Sequence, residues 1–173
     1  MNETTDKIPE QVDPLVIFSH TELVTKSEKW LKNTCGCGVT FREFTAYTST
    51  GEIPDAIGWV NGHCIMVEVK VSRGDFLSDK TKKHRQPLLS DVVLGHWRFY
   101  ITLPGIARSD EIPEGWGLYE LQGTRMKHIA GVKYANGARP PLQSNRADEI
   151  AIMYSALRRL EIRGVLERVY ERI

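Results

Sequence analysis

Long apolar runs are missing from this chain: no stretch approaches the ~18 residues that a membrane-spanning helix needs. The first fourteen residues, MNETTDKIPEQVDP, are polar and acidic with no apolar centre, so they read as neither a signal nor a transit peptide. Together these absences imply a cytoplasmic protein with no membrane partner. Cysteine is scarce too. Three residues, an odd number, fit a reduced protein better than a disulfide scaffold. Cys35 and Cys37 form a C-x-C pair and Cys64 follows His63, yet no second C-x-x-C or H-x-x-x-H completes a tetrahedral zinc set. Charge of one sign is also lacking. A net of +1 gives no global attraction for nucleic acid, so only local clustering can supply one. Internal repeats and low-complexity segments are absent.

What remains is an ordinary globular composition, 41% hydrophobic and 26% charged over 173 residues, enough for one domain whose core needs neither disulfide nor metal to fold. Residues 1–14 read as a flexible tail, 15–134 as the domain, 135–144 as a Pro/Gly loop, and 145–173 as a helical extension packed on or beside it. The spacing of Leu23, Val24, Trp30 and Leu31 predicts a helix over 19–33, with Ser19 or Thr21 as its N-cap. CGCG ends it, and the β-branched and aromatic run 39–49 reads as a strand. Ser72 and Asp75 form an S-x-x-D box opening a second helix that should reach about Gln86, before Pro87. Strands follow over 96–104, within EIPEGWGLYELQ (111–122) and, after the Gly123-Thr124 turn, in RMKHIAGV. Asn145 with Asp148 caps a final helix carrying Ile152, Met153, Ala156, Leu157 and Leu160, with a break near Gly164. The order helix, three strands, helix, three strands, helix describes a mixed α/β sheet flanked by helices.

One stretch sets three charged residues into an otherwise apolar run. IPDAIGWVNGHCIMVEVKVSRGDF, residues 53–76, reads as a hairpin, because Asn61-Gly62 is a strong type I′ turn signal. That turn makes positions whose numbers sum to 123 face each other, which opposes Asp55 and Glu68 with Cβ atoms roughly 4.5–5.5 Å apart. Lys70 points to the same face, among Ile57, Trp59, Cys64 and Met66; Ala56, Gly58, Val60, Ile65, Val67, Val69 and Val71 share the other. Opposed like charges in an apolar hairpin are destabilising, and an uncompensated buried carboxylate costs several kcal/mol more. Lys70 offsets one charge. A hard divalent cation, Mg²⁺ or Mn²⁺, would offset the rest, with the Val67 and Val69 carbonyls in reach as further ligands. On spacing alone, a structural ion pair of Lys70 with Glu68 or Asp55 at a sheet end explains the triplet as well.

Pro54-Asp55 followed by Glu68-Val69-Lys70 resembles the PD-(D/E)XK nuclease superfamily, whose restriction-endonuclease-like αβββαβ core matches the order read above. EVKVSRGDFLSDKTKKHR, GHWRFYITLPGI and EIPEGWGLYEL are similar to the small MmcB-like DNA-repair family and related phage-encoded proteins. The likeness spans roughly residues 38–130. It implies a metal-dependent deoxyribonuclease of repair, recombination or phage DNA metabolism. Asp55 and Glu68 would hold the metal with Val69, and Lys70 would activate or orient the attacking water, as a base if its pKa is depressed or as a purely electrostatic group. Many superfamily members add a glutamate from the first helix, here Glu22 or Glu28; Glu43, on the first strand, is a third choice.

Between residues 70 and 85 six cations face two acids, a local net of +4. Arg73, Lys80, Lys82, Lys83, His84 and Arg85 are the expected contacts to a DNA backbone, with Gln86 near the site, although a solvated charged helix also accounts for them. A non-catalytic DNA-binding module that keeps the fold is the rival reading, and the last helix leaves a homodimer open. DNA structure and sequence preference are not legible, since no element for reading base edges is recognisable.

Overall fold

A computed structural model describes residues 18–79 and 93–172. Its elements follow the expected order: α1 (His20–Asn33), β1 (Val39–Arg42), β2 (Ala56–Val60), β3 (His63–Lys70), α2 (Arg73–Asp79), β4 (Trp97–Thr102), β5 (Trp116–Gln122), β6 (Arg125–Gly131) and α3 (Arg146–Ile162). The strands form one six-stranded sheet in sequence order. β3, β4 and β5 run parallel, and the other neighbouring pairs are antiparallel. Parallel neighbours need a long crossover, and the connections leaving β3 and β4 are each over a dozen residues, whereas the antiparallel hairpins β2–β3 and β5–β6 need only two.

Asn61 and Gly62 adopt left-handed backbone, φ 49° and 76°, as a type I′ turn demands. The ladder then pairs Ala56 with Val67 and Trp59 with Cys64, the register the turn dictates. α1 covers one face of the sheet. Its Leu23, Val24, Trp30 and Leu31 pack with Ala56, Ile65, Val67, Val69, Phe99 and Ile101. Across the sheet, Met66, Phe76, Tyr100, Trp116 and Leu118 form a second cluster, while Ile57, Trp59, Cys64 and Leu94 receive Ile152 from α3. Both faces of the hairpin are therefore buried, and Glu68 and Lys70 retain only 3% of their accessible surface each.

The caps fall where the sequence puts them. Ser19 accepts from the Glu22 amide in a full capping box, Asn145 accepts from the Asp148 amide, and Ser72 Oγ accepts from the Asp75 amide. All three cysteines are free and buried.

Two boundaries depart from expectation. The strand read over 39–49 stops at Arg42, because Glu43 turns left-handed (φ 44°) and the chain leaves the sheet as a loop. That loop is gripped from the far end of the sequence. Asp148 accepts from the Ser49 and Thr50 amides, Arg159 donates to the Thr45 carbonyl, and its guanidinium lies 4.0 Å from the Phe44 ring. The second helix is described only as far as Asp79; Lys80, Lys82, Lys83, His84, Arg85 and Gln86 lie outside the described residues, as does the expected tail. No helix among the described residues is long and apolar enough to cross a membrane.

Candidate metal and catalytic site

The site is built at the open end of the β2–β3 hairpin. Asp55 immediately precedes β2, and its Oδ2 accepts a hydrogen bond from the Val69 amide at 2.7 Å. Val69 thus meets Asp55 as a donor that fixes the carboxylate. This contact lends nothing to Val69 as a metal ligand. One Asp55 oxygen is held and the other, Oδ1, faces His20, whose Nε2 lies 3.4 Å away.

His20 went unnoticed in the sequence. As the first residue of α1, directly after the Ser19 cap, it stands at the helix end that reaches the hairpin. Its Nδ1 is 3.8 Å from Oε1 of Glu43. Ligand-type atoms of His20, Glu43 and Asp55 lie within 4.8 Å of one another, a span that a single divalent cation can bridge. Glu43 comes there through its left-handed backbone, and its amide donates to the Asp55 carbonyl at 3.0 Å. One imidazole among carboxylates suits a transition ion such as Mn²⁺ better than Mg²⁺.

Glu68 and Lys70 form the second half of the site. Lys70 Nζ lies 3.4 Å from Glu68 Oε2, 3.3 Å from Asp79 Oδ1 and 3.9 Å from Asp75 Oδ1. Asp75 and Asp79 are one helical turn apart on α2, so both reach the same neighbour. Asp79 is completely buried and also accepts from the Tyr100 hydroxyl at 2.8 Å. Burial pulls the lysine's pKa down, but Glu68, Asp79, Asp75 and Asp55 outweigh it and hold Lys70 above its ordinary value. The depressed lysine that base chemistry requires is therefore not what this surrounding produces. For Asp55, burial and the neighbouring Glu68 push the carboxyl up, against the Val69 amide, Lys70 and His20.

The remaining sequence candidates have other employment. Glu22 closes the Ser19 capping box, its Oε2 accepting from the Ser19 amide and hydroxyl at 2.8 and 2.7 Å. Glu28 bridges Lys32, Arg42 and Thr40 at 2.9–3.0 Å and so ties α1 to β1. Neither joins the His20, Glu43 and Asp55 group. Arg73, read as a backbone contact, is drawn into a bidentate pair with Glu111 at 2.5 and 2.6 Å and also donates to the Ile106 carbonyl. A forked pair of this kind fixes the guanidinium to its own protein. Deeper in the sheet, buried Arg98 pairs with buried Glu52 and lies 4.4 Å from the Trp116 ring, bolting down the loop just before Asp55.

Glu43→Gly tests the ligand set, since it removes a carboxylate and also relieves left-handed backbone that a non-glycine residue adopts at a cost. Without metal the variant should melt at the wild-type temperature or be more stable by roughly 0–1 kcal/mol. The Mn²⁺-induced rise in melting temperature should shrink, corresponding to an affinity loss of about tenfold or more. Differential scanning calorimetry with and without Mn²⁺ reads both; an unaltered Mn²⁺ shift would remove Glu43 from the set.

No protein-family model and no curated protein matches the chain. Among solved structures it is similar to a protein of unknown function from Silicibacter pomeroyi, with a TM-score of 0.52, 18% identity, and coverage of 83% of this chain and 90% of that one. At that identity the likeness speaks for the fold alone.

Proposed function

We propose that this protein is a DNA nuclease dependent on Mg²⁺ or Mn²⁺, hydrolysing phosphodiester bonds at the open end of the β2–β3 hairpin. The observation that carries the reading is the meeting of Asp55, Glu68 and Lys70 there, two acids and a lysine whose burial costs the fold stability without serving its packing. His20, Glu43 and Asp55 are the residues that would hold the cation, with Glu68 beside them. Bound there, the cation would supply charge stabilisation at the phosphoryl oxygens and a more acidic water.

Each protein group then has a task of its own. The Val69 amide keeps Asp55 in one orientation. Asp79 and Asp75 share Lys70 Nζ with Glu68 and keep it an ammonium. An ammonium serves as a cationic donor to a phosphoryl oxygen, or as an anchor for the attacking water, rather than as the base.

The test is cleavage of circular single-stranded and supercoiled double-stranded DNA with Mg²⁺ or Mn²⁺, run beside Glu68→Ala and Lys70→Ala. Metal-dependent nicking that drops at least about 10³-fold in Glu68→Ala supports the reading and reports the strand preference. Equal inertness of wild type and variants, with salt-sensitive DNA binding by the wild type, would favour a non-catalytic DNA-binding module instead.

A further inference from the structure

A second feature of α1 lies away from the carboxylates. Between the C-terminal half of this helix and the β5–β6 hairpin runs a groove of about 410 Å³. Lys26, Lys29 and Arg125 line it, and among the described residues no acidic side chain does. None of the three cations has an ion-pair partner among the described residues. Lys26 stands over the Phe18 ring, 4.9 Å from its centroid, and feels the Glu22 carboxylate one helical turn away without forming an ion pair with it. Asn33 and Thr124 add neutral donors at the rim, and buried Trp30 and Leu121 form the floor. For a chain with a net charge of only +1, three cations gathered with no acid among the described lining residues make a local positive potential.

The position of the groove relates it to the site. His20 stands at the start of α1; Lys26 and Lys29 follow six and nine residues on, about 9–14 Å along the axis and on roughly the opposite flank. Trp30 packs on the Phe99 and Tyr119 rings of β4 and β5, so α1 crosses the sheet diagonally from the hairpin toward β5. The β5–β6 turn lies at the sheet end where β3 finishes, since Lys70 pairs with Thr102, Thr102 with Glu120 and Glu120 with Lys127 across the ladders. Carboxylates and cations therefore open toward one end of the molecule, three strand spacings apart between β2 and β5, about 14 Å.

We infer that this groove binds the phosphate backbone of the substrate nucleic acid away from the scissile bond, with Lys26, Lys29 and Arg125 each neutralising a phosphate. The inference rests on the nuclease reading for its substrate. It adds a contact surface on the flank of α1 opposite the metal site and makes affinity depend on substrate length. A strand long enough to pass the helix end gains the groove, and a strand of three or four nucleotides confined to the metal site does not.

The experiment measures binding of fluorescein-labelled 20-nucleotide and 4-nucleotide DNA in EDTA, so that no cleavage intervenes, across a salt series. Wild type is compared with Lys26→Ala/Lys29→Ala/Arg125→Ala and with single Lys29→Glu. Three lost phosphate contacts should flatten the plot of log Kobs against log salt by about 2 to 2.7 and weaken 20-mer binding roughly 10–100-fold at low salt. Binding of the 4-mer, and the Mn²⁺-induced melting shift, should stay as in wild type. Lys29→Glu should weaken the 20-mer in the same direction. Equal slopes and affinities for all three proteins, or no 20-mer binding by wild type, would overturn the inference. Groove-dependent binding by a protein that cleaves no DNA with Mg²⁺ or Mn²⁺ would sink the nuclease reading and leave the groove standing. Cleavage untouched by the triple substitution, with equal slopes, would do the reverse.

Discussion

Lys70→Met is expected to destabilise the metal-free protein by about 3–5 kcal/mol, the cost of removing one partner from a buried charge cluster. Methionine replaces the aliphatic stem and restores no charge, so the loss is electrostatic rather than one of volume. Glu68 and Asp79 then lose one cationic neighbour in the interior. Against the 5–15 kcal/mol typical of a whole domain, the change is large. It should appear as a shift of roughly 1–3 M in the urea midpoint. Alkali should do in part what the substitution does. Lys70 has a folded pKa above its ordinary 10.5, so its contribution is complete below that value and is lost as pH rises through the folded one.

The mechanism can be isolated with Asp79→Asn in the Lys70→Met background. If the cost is that of buried negative charge deprived of one cation, neutralising Asp79 recovers part of it, and the two substitutions are strongly non-additive. A loss below about 1 kcal/mol for Lys70→Met, with additive behaviour, would show that the cluster contributes little to folding. The same measurement bears on activity assays. A Lys70 variant that fails to cleave DNA is informative only when its folded fraction is known, whereas Glu68→Ala removes an acid and leaves Lys70 with Asp79.

How much of this was legible beforehand varies residue by residue. The Asn61-Gly62 turn sets the register, so the pairing of β2 with β3 from Val60–His63 to Ala56–Val67 could be read from two residues of local chemistry. Ser19, Ser72 and Asn145 likewise announce their helices, because a cap acts within three residues. The early end of β1 could not be read in this way. Its β-branched and aromatic continuation favours extension, and what draws it out is Asp148 and Arg159, about a hundred residues away. His20 gave half a signal. The capping box places it at a helix end, but only the diagonal crossing of α1 brings that end to the hairpin. Asp75 and Asp79 sit at i and i+4, a spacing that marks one face; which residue that face meets depends on how α2 packs under β4. Lys70 shows the limit most clearly, since a motif names the residue while its neighbours decide its protonation.

Asp55→Asn should separate the cost of the site from its use. Burial and Glu68 raise the Asp55 carboxyl above its ordinary 3.8, so the folded protein binds that proton more tightly than the unfolded chain. The sign follows from this. Below 3.8 both states are protonated and nothing is lost; as pH climbs from there through the folded value, stability falls, and above it the penalty is complete. Asparagine carries no such proton and still offers a carbonyl oxygen to the Val69 amide. The variant should therefore equal wild type near pH 3, if both remain folded, and exceed it at neutral pH, so that the difference between their melting curves grows as pH rises. Added Mn²⁺ should reverse the ranking. A ligating carboxylate must be deprotonated, so cation affinity grows with pH, and the ion stabilises the wild type by RT ln(1 + [Mn²⁺]/Kd) while helping the variant little. On the proposed reading, DNA cleavage by the variant falls at least about 10³-fold although its fold is the sturdier of the two. An Asp55→Asn protein less stable than wild type at pH 7 in EDTA would mean that the carboxylate serves the fold, as a structural partner of Lys70 or His20. A variant that is more stable without metal, no longer stabilised by Mn²⁺ and inactive on DNA would show why a carboxylate stands in an apolar hairpin: it weakens the empty protein so that a cation can be held there.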